Sequence, residues 1–425
     1  MNRNFLIGAT FVVALVGLGL TERALEQTAQ AQAKTGQVPI FEVDPFWPKA
    51  MPNNWVFGMT IGLGIDEKDQ VWIIHRGNDP GNIDRTEFAF PSQMPQAGGA
   101  KPPAGPPGAK PPAGPPVAAG RVSECCLPAP PVVAFDQGGN VVQSWGGPKS
   151  HPDWPDSNHG IVVDHKGIVW VGGNGGPDSH ILRFTREGKF VDMIGKKGAR
   201  AVDGKMVANS NDPVNFGRVA KIFIDPKANE AYVADGYLNK RVAVVDMDSG
   251  KIKRYWGAYG NKPDDSPMPR YDPKAPPAQQ FRTPVHCAEM SNDGHVYVCD
   301  RPNDRIQVFT REGKFVKEKR LFPETLSDGS VWDIAFSRDP QQQWIYVADG
   351  ANEHVYVVDR QSLEVVSQFG TGGCAAGQFL GVHSIAVDSK GNIYTTETYT
   401  GKRLQKFVFK GMGAPQSGVP APKGN

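Results

Sequence analysis

Nine histidines are scattered along the 425-residue chain, and three of them, His159, His286 and His383, share a setting. Each stands five residues ahead of an acidic or hydroxyl residue (Asp164, Ser291, Asp388) that closes a short apolar run and opens a turn. Three imidazoles are the donor set of a catalytic metal centre. Three nitrogens at about 2.0–2.1 Å leave a fourth position open for water or substrate, whereas structural zinc is usually closed by four protein ligands. A lone histidine on such a run is ordinarily a hydrogen-bonded core residue, but three at one repeat position ask for another reason. The other six, His75, His151, His165, His180, His295 and His354, lack the register. Further polar candidates are Arg76 in HRGND, Tyr237 in VADGY and Arg301 in VCDRPNDR. An arginine there can hold a carboxylate bidentately. A tyrosine beside a metal, its pKa lowered, can act as a base. The competing reading of the arginines is salt bridging at blade edges, for Arg301 with Asp300 and Asp304.

The elements that must position these residues are repeats. Six stretches run from apolar residues through an Asp or Ser turn into a second apolar run: IGLGIDEKDQVWII, GIVVDHKGIVWV, KIFIDPKANEAYVAD, CAEMSNDGHVYVCD, IAFSRDPQQQWIYVAD and SIAVDSKGNIYTTE. Each is a hairpin signal. Four are followed by a second hairpin, and no helical periodicity stands out. Two hairpins make a four-stranded unit of about 40 to 50 residues, the period of a propeller blade. The fold class is therefore all-β, a six-bladed β-propeller. Aligned on Asp66, Asp164, Asp225, Ser291, Ser337 and Asp388, the position five residues back reads Ile61, His159, Ala220, His286, Trp332 and His383. The histidines fall on blades two, four and six. If the first strand of each blade lines the channel, these blades lie about 120° apart and the imidazoles converge on the axis.

Blade one is interrupted. Its first hairpin ends near His75 and its outer strands resume at PPVVAFDQGGNVVQSWGG, after the tract GGAKPPAGPPGAKPPAGPP. That tract suits a solvated, polyproline-like excursion, read as a tolerated insertion or as a lid or partner segment. At the N-terminus, Arg3 precedes an apolar run from Phe5 to Leu20 and a small-residue stretch ending in Ala31-Gln32-Ala33, the pattern of a cleaved secretory signal. Thr21-Glu22-Arg23 keeps an uncleaved anchor as the alternative. The expected organisation is a signal over 1–33, a lead-in over 34–54, the propeller over 55–410 with an insert at 91–120, and a tail over 411–425. Forty-six basic and 44 acidic residues leave a net charge of +2 without a long basic run, which argues against nucleic acid as a partner. Five cysteines suit an oxidising compartment, secreted or periplasmic, but their odd number leaves one unpaired within the chain. The absence of CxxC excludes the usual thiolate zinc pattern. Cys287 and Cys299 flank one hairpin and are read first as small buried residues, with a bridge as the second option.

The motifs VWIIHRGND, NHGIVVD, VADGYLNKRV, TPVHCAEM, VCDRPNDRIQVF and GVHSIAVDSKGNIY together resemble those of the peptidyl-α-hydroxyglycine α-amidating lyases, within the wider NHL-repeat propellers. The resemblance covers roughly Phe57 to Phe409 apart from the insert. It implies one zinc ion on His159, His286 and His383, catalytic roles for Arg76 and Tyr237, and a substrate-carboxylate role for Arg301. The implied reaction is a carbon–nitrogen lyase cleavage of an N-acyl-α-hydroxyglycine, a small molecule or peptide with a carboxylate; separately, the chain is expected to be a monomer without stable membrane insertion after signal cleavage. Three positions depart from the family. Ser384 stands where the family has a calcium-ligating Asp, although Leu63 and Ile161 keep the positions of its carbonyl ligands. Gly381 stands in place of a methionine, and Leu238 in place of a disulfide cysteine. Two alternatives from other classes are a non-catalytic protein-binding scaffold and a calcium-dependent propeller hydrolase. The second would use hard oxygen ligands rather than imidazole.

Overall fold

A computed structural model describes residues 36–77 and 126–416. The segment read as a signal and the Pro-rich tract lie outside the described residues, as does the chain after 416. Each hairpin is organised by the residue on which the repeats align. Asp66 Oδ1 accepts the backbone N–H groups of Lys68 and Gln70, and its Oδ2 accepts the indole N–H of Trp72. Asp164 does the same for Lys166, Ile168 and Trp170. Asp388 closes its turn on Lys390 and Asn392 and takes the Tyr394 hydroxyl. One carboxylate thus satisfies turn amides and fixes an aromatic ring of the next strand, which is why Asp recurs there. At the far end of the second strand a carboxylate meets an arginine at, or just before, the start of the third. Asp235 pairs with Arg241 at 2.8 Å, Asp300 with Arg305 at 2.8 Å and Glu397 with Arg403 at 2.6 Å.

These hairpins assemble into six four-stranded antiparallel sheets, the blades of a propeller. In order of appearance their innermost strands are Thr60–Ile65, Asn158–Val163, Val219–Asp225, Val285–Met290, Asp333–Phe336 and Val382–Val387. Six apolar clusters fill the spaces between neighbouring blades. One, between blades one and two, joins Trp72 and Val132 to Ile161 and Phe184. Another, between blades four and five, joins Cys287 and Ile306 to Ile334 and Val358. Every blade is covered on both faces, so the short strands carry near-continuous apolar runs. Among the described residues there is no α-helix, and no helix is long and apolar enough to cross a membrane.

Blade one resumes after its interruption as expected: Val71–His75 pairs with Val132–Phe135, which pairs with Val141–Trp145. Two features differ from the sequence expectations. Part of the stretch assigned to a lead-in is a strand, Val38–Asp44, which pairs with Leu404–Gly413 as the outermost strand of blade six. The chain's first described strand thereby closes the ring, and Phe41 packs into the cluster between blades five and six against Tyr346 and Phe369. Leu404–Gly413 itself runs past residue 410, into the segment assigned to the tail. Second, Cys287 and Cys299 form a disulfide rather than lying as free thiols, because they face each other across one antiparallel pair. Cys126 is also disulfide-bonded, and Cys374 is free and exposed.

Candidate metal centre

The three histidines sit where their strands are irregular. The ladder shifts register between Asn158 and Ile161, between Val285 and Cys287, and between Val382 and Ile385, so each histidine occupies a bulge. Blades one and three are irregular at the same place, between Thr60 and Gly62 and between Val219 and Lys221. A bulge re-aims a side chain and frees main-chain groups from the ladder. Both effects are used here. The Nδ1 of His159 bonds the carbonyl of Ala220 at 2.7 Å, that of His286 bonds the carbonyl of Trp332, and that of His383 bonds the carbonyl of Ile61 at 2.9 Å. Each imidazole of an even blade therefore donates to the matching residue of the next odd blade. Donation from Nδ1 fixes the tautomer and leaves Nε2 as a lone pair, the orientation a metal ligand needs.

The rings form a nearly even triangle with centroid separations of 5.2, 5.0 and 4.8 Å. One nitrogen from each lies within 4.8 Å of the others, and all three residues are 2–3% exposed. Burial holds their pKa values well below the usual imidazole range, aided by mutual repulsion and by Arg76 and Arg301. They are neutral at ordinary pH, as metal binding requires. This arrangement fits one zinc ion: three buried neutral nitrogens on one centre, each oriented by a second hydrogen bond.

Tyr237 reaches the same point, its hydroxyl 2.8 Å from Nε2 of His159 and 3.0 Å from Nε2 of His286. It gets there because Gly236 abuts the strand of His286; a Cβ at Gly236 would lie 2.0 Å from the Val285 carbonyl oxygen. The lowered tyrosine pKa expected from sequence is not what the protein alone produces. Burial raises it, and Arg301 and Arg76 oppose that rise. Arg76 is held beside the triangle by bonds from Nε to the Asn158 carbonyl (3.0 Å) and from Nη2 to Asn174 Oδ1 (2.8 Å). Arg301 is buried, with Cζ 4.4 Å from the Trp332 ring centre and 5.9 Å from that of Tyr237. Asp300 and Asp304, weighed as its salt-bridge partners, serve others. Asp300 holds Arg305 and Asn303, and Asp304 accepts from the Ser330 amide. Arg301 instead approaches Asp328 at 3.6 Å, and its Nε is buried without a partner among the described residues. It opens into a cavity of about 380 Å³ also lined by Arg270, Tyr271, Arg282, Leu326 and Asp328. Of these residues, Asn158, Asn174, Trp332 and Asp328 were not anticipated. Asn158 directly precedes His159, and Trp332 stood in the register alignment, so both were within reach of the sequence.

The residues present do not fit the calcium ion that the family resemblance raises. Ser384 brings no charge, and its hydroxyl donates to the Ile61 carbonyl at 2.7 Å. A lysine ammonium, that of Lys221, already faces the nearby carboxylates of Asp333 and Glu289.

No protein-family profile matches the chain. Over 281 residues it is 26% identical to peptidyl-glycine alpha-amidating monooxygenase A of Xenopus laevis, covering 65% of this chain and 24% of that one. Over 295 residues it is 25% identical to peptidyl-alpha-hydroxyglycine alpha-amidating lyase 1 of Drosophila melanogaster, covering 66% of this chain and 48% of that one. NHL repeat-containing protein 3 of Mus musculus is 24% identical over 298 residues, covering 66% and 73% of the two chains. The chain thus spans about a quarter to a half of these amidating relatives. A solved streptogramin B lyase structure aligns with a TM-score of 0.47 at 11% identity, over 87% of this chain and 98% of that one. The resemblance to the amidating lyases within the NHL propellers is borne out by the amidating-enzyme and NHL repeat-containing relatives.

Proposed function

We propose that the protein is a zinc-dependent carbon–nitrogen lyase acting on an N-acyl-α-hydroxyglycine or a close carbinolamide. The observation that carries this reading is the triangle of carbonyl-anchored imidazoles with the Tyr237 hydroxyl on two of its Nε2 atoms and the charges of Arg76 and Arg301 acting on it. A bound zinc ion would act as a Lewis acid and lower the pKa of a substrate hydroxyl. Around it, Arg301 offers its buried guanidinium to the substrate carboxylate, a charge-assisted pairing in a water-poor setting. Tyr237 stands at the axis to exchange the hydroxyl proton; burial raises its pKa, and Arg301 and Arg76 oppose that rise. In the overall reaction the hydroxyl loses its proton, the carbon–nitrogen bond breaks, and the amide nitrogen takes up a proton. The products are a primary amide and glyoxylate, and no oxidant is needed. The Cys287–Cys299 bridge supports a secreted or periplasmic location.

Metal analysis joined to a glyoxylate-release assay on an N-acyl-α-hydroxyglycine tests the reading. The expected result is about one equivalent of zinc and metal-dependent glyoxylate formation. A folded protein that takes up no zinc would overturn the metal centre. Zinc without glyoxylate would keep the centre and discard the substrate.

A further inference from the structure

One residue beyond the histidine register, the inner strands carry Gly62, Gly160, Lys221, Cys287, Asp333 and Ser384 in blade order. Two of these six are oppositely charged and meet: Lys221 Nζ lies 2.6 Å from Asp333 Oδ1. The same ammonium lies 2.8 Å from Oε1 of Glu289, on the inner strand of blade four. Asp333 Oδ2 in turn accepts the Ile385 amide of blade six at 3.1 Å. One lysine of blade three is thus tied to blades four and five directly, and to blade six through a carboxylate. Side-chain exposure is 15% for Lys221 and Glu289 and 1% for Asp333. Carboxylates at that depth require a cation close by.

We infer that Lys221 is the resident cation of this layer, an internal ammonium that neutralises the inward-facing carboxylates and leaves this layer without need of a bound calcium ion. This does not rest on the lyase reading, since the geometry is independent of what the histidines bind. It explains Ser384 as well. With the positive charge supplied by the chain, the residue after His383 need not be acidic, and its hydroxyl is free to hold the Ile61 carbonyl. A divalent ion added to this layer would meet an ammonium already in contact with both carboxylates.

The inference makes an unusual demand: removing the lysine should create a calcium site. Glu289 and Asp333 would then offer hard oxygen ligands with some access to water, the donors calcium prefers. The experiment measures thermal unfolding of the full-length protein, at one fixed zinc content, in chelator-free buffer depleted of calcium and in the same buffer with millimolar calcium. Wild type should unfold at the same temperature in both. Lys221→Met should fall by about 10 °C without calcium, as expected for breaking a buried charge pair, and regain about half of that in calcium. Lys221→Met with Asp333→Asn should be closer to wild type and indifferent to calcium. If Lys221→Met alone fails to fold while the double variant folds, neutralisation is still the lysine's role. Calcium stabilisation of wild type would overturn the inference, as would a folded Lys221→Met that ignores calcium. Failure of both variants to fold would overturn it too, since packing rather than charge would then be the lysine's contribution.

Discussion

Even and odd blades are built alike and used differently. At one repeat position the even blades present imidazoles, His159, His286 and His383, and the odd blades present Ile61, Ala220 and Trp332, of which only Trp332 packs its ring edge-on against imidazoles, those of His286 and His383. What all three odd blades contribute in common is main chain, one carbonyl to each Nδ1. The difference teaches that repeated architecture can divide one site between side chains of one subset and backbone of the other. Only the first subset is then tightly restricted in residue type.

The largest expected effect breaks this comparison on the even side. His286→Ala should lose stoichiometric zinc, because two nitrogens remain of three, whereas Ala220→Gly keeps the carbonyl and should retain near-native zinc. Equal loss in both, measured by metal analysis of folded protein, would refute the division of labour. Next is Tyr237→Phe, which removes only the hydroxyl at the axis. It should lower kcat about 100- to 10,000-fold, the usual contribution of a positioned acid–base group, with zinc content unchanged.

The smallest effect concerns a histidine of an odd blade. His75 is fully buried, and its Nδ1 accepts the amides of Gly58 and Gly77 while its Nε2 faces the Pro130 carbonyl. Burial lowers its pKa to about 4 from 6.5. The unfolded chain therefore binds a proton at higher pH than the folded one. Stability should be complete above about pH 6.5 and decline as pH falls toward 4, by about 3 kcal/mol from this residue. His75→Asn should show a shallower decline across that window in denaturant titrations. An unchanged slope would mean that His75 titrates alike in both states.

Much of this molecule was legible because its repeats carry visible punctuation. Asp66, Asp164 and Asp388 mark turns through local hydrogen bonds, so aligning on them recovered the six blades and the histidine register. What escaped was non-local. Val38–Asp44 resembles a strand, but its partner is at the other end of the sequence, and no turn links the two. The bulges were hidden because they are properties of pairing, not of composition. Lys221 was overlooked because only one position of the repeat was aligned; the next one pairs Lys221 with Asp333 across two blades. Tyr237 and Arg301 were candidates from their place after the second strands of blades three and four, but their roles came from the family motifs, since nothing in their spacing alone shows that those loops meet at the axis.

The closing strand has a mechanical consequence. Val38 pairs with Gly413, so the two ends of the described chain leave the outer edge of blade six side by side, with the strands antiparallel. Force applied between those ends would load the backbone hydrogen bonds one after another, like a zipper, rather than all at once in shear. The first event would peel away Val38–Asp44 while the histidine triangle, on the inner strands, stays intact.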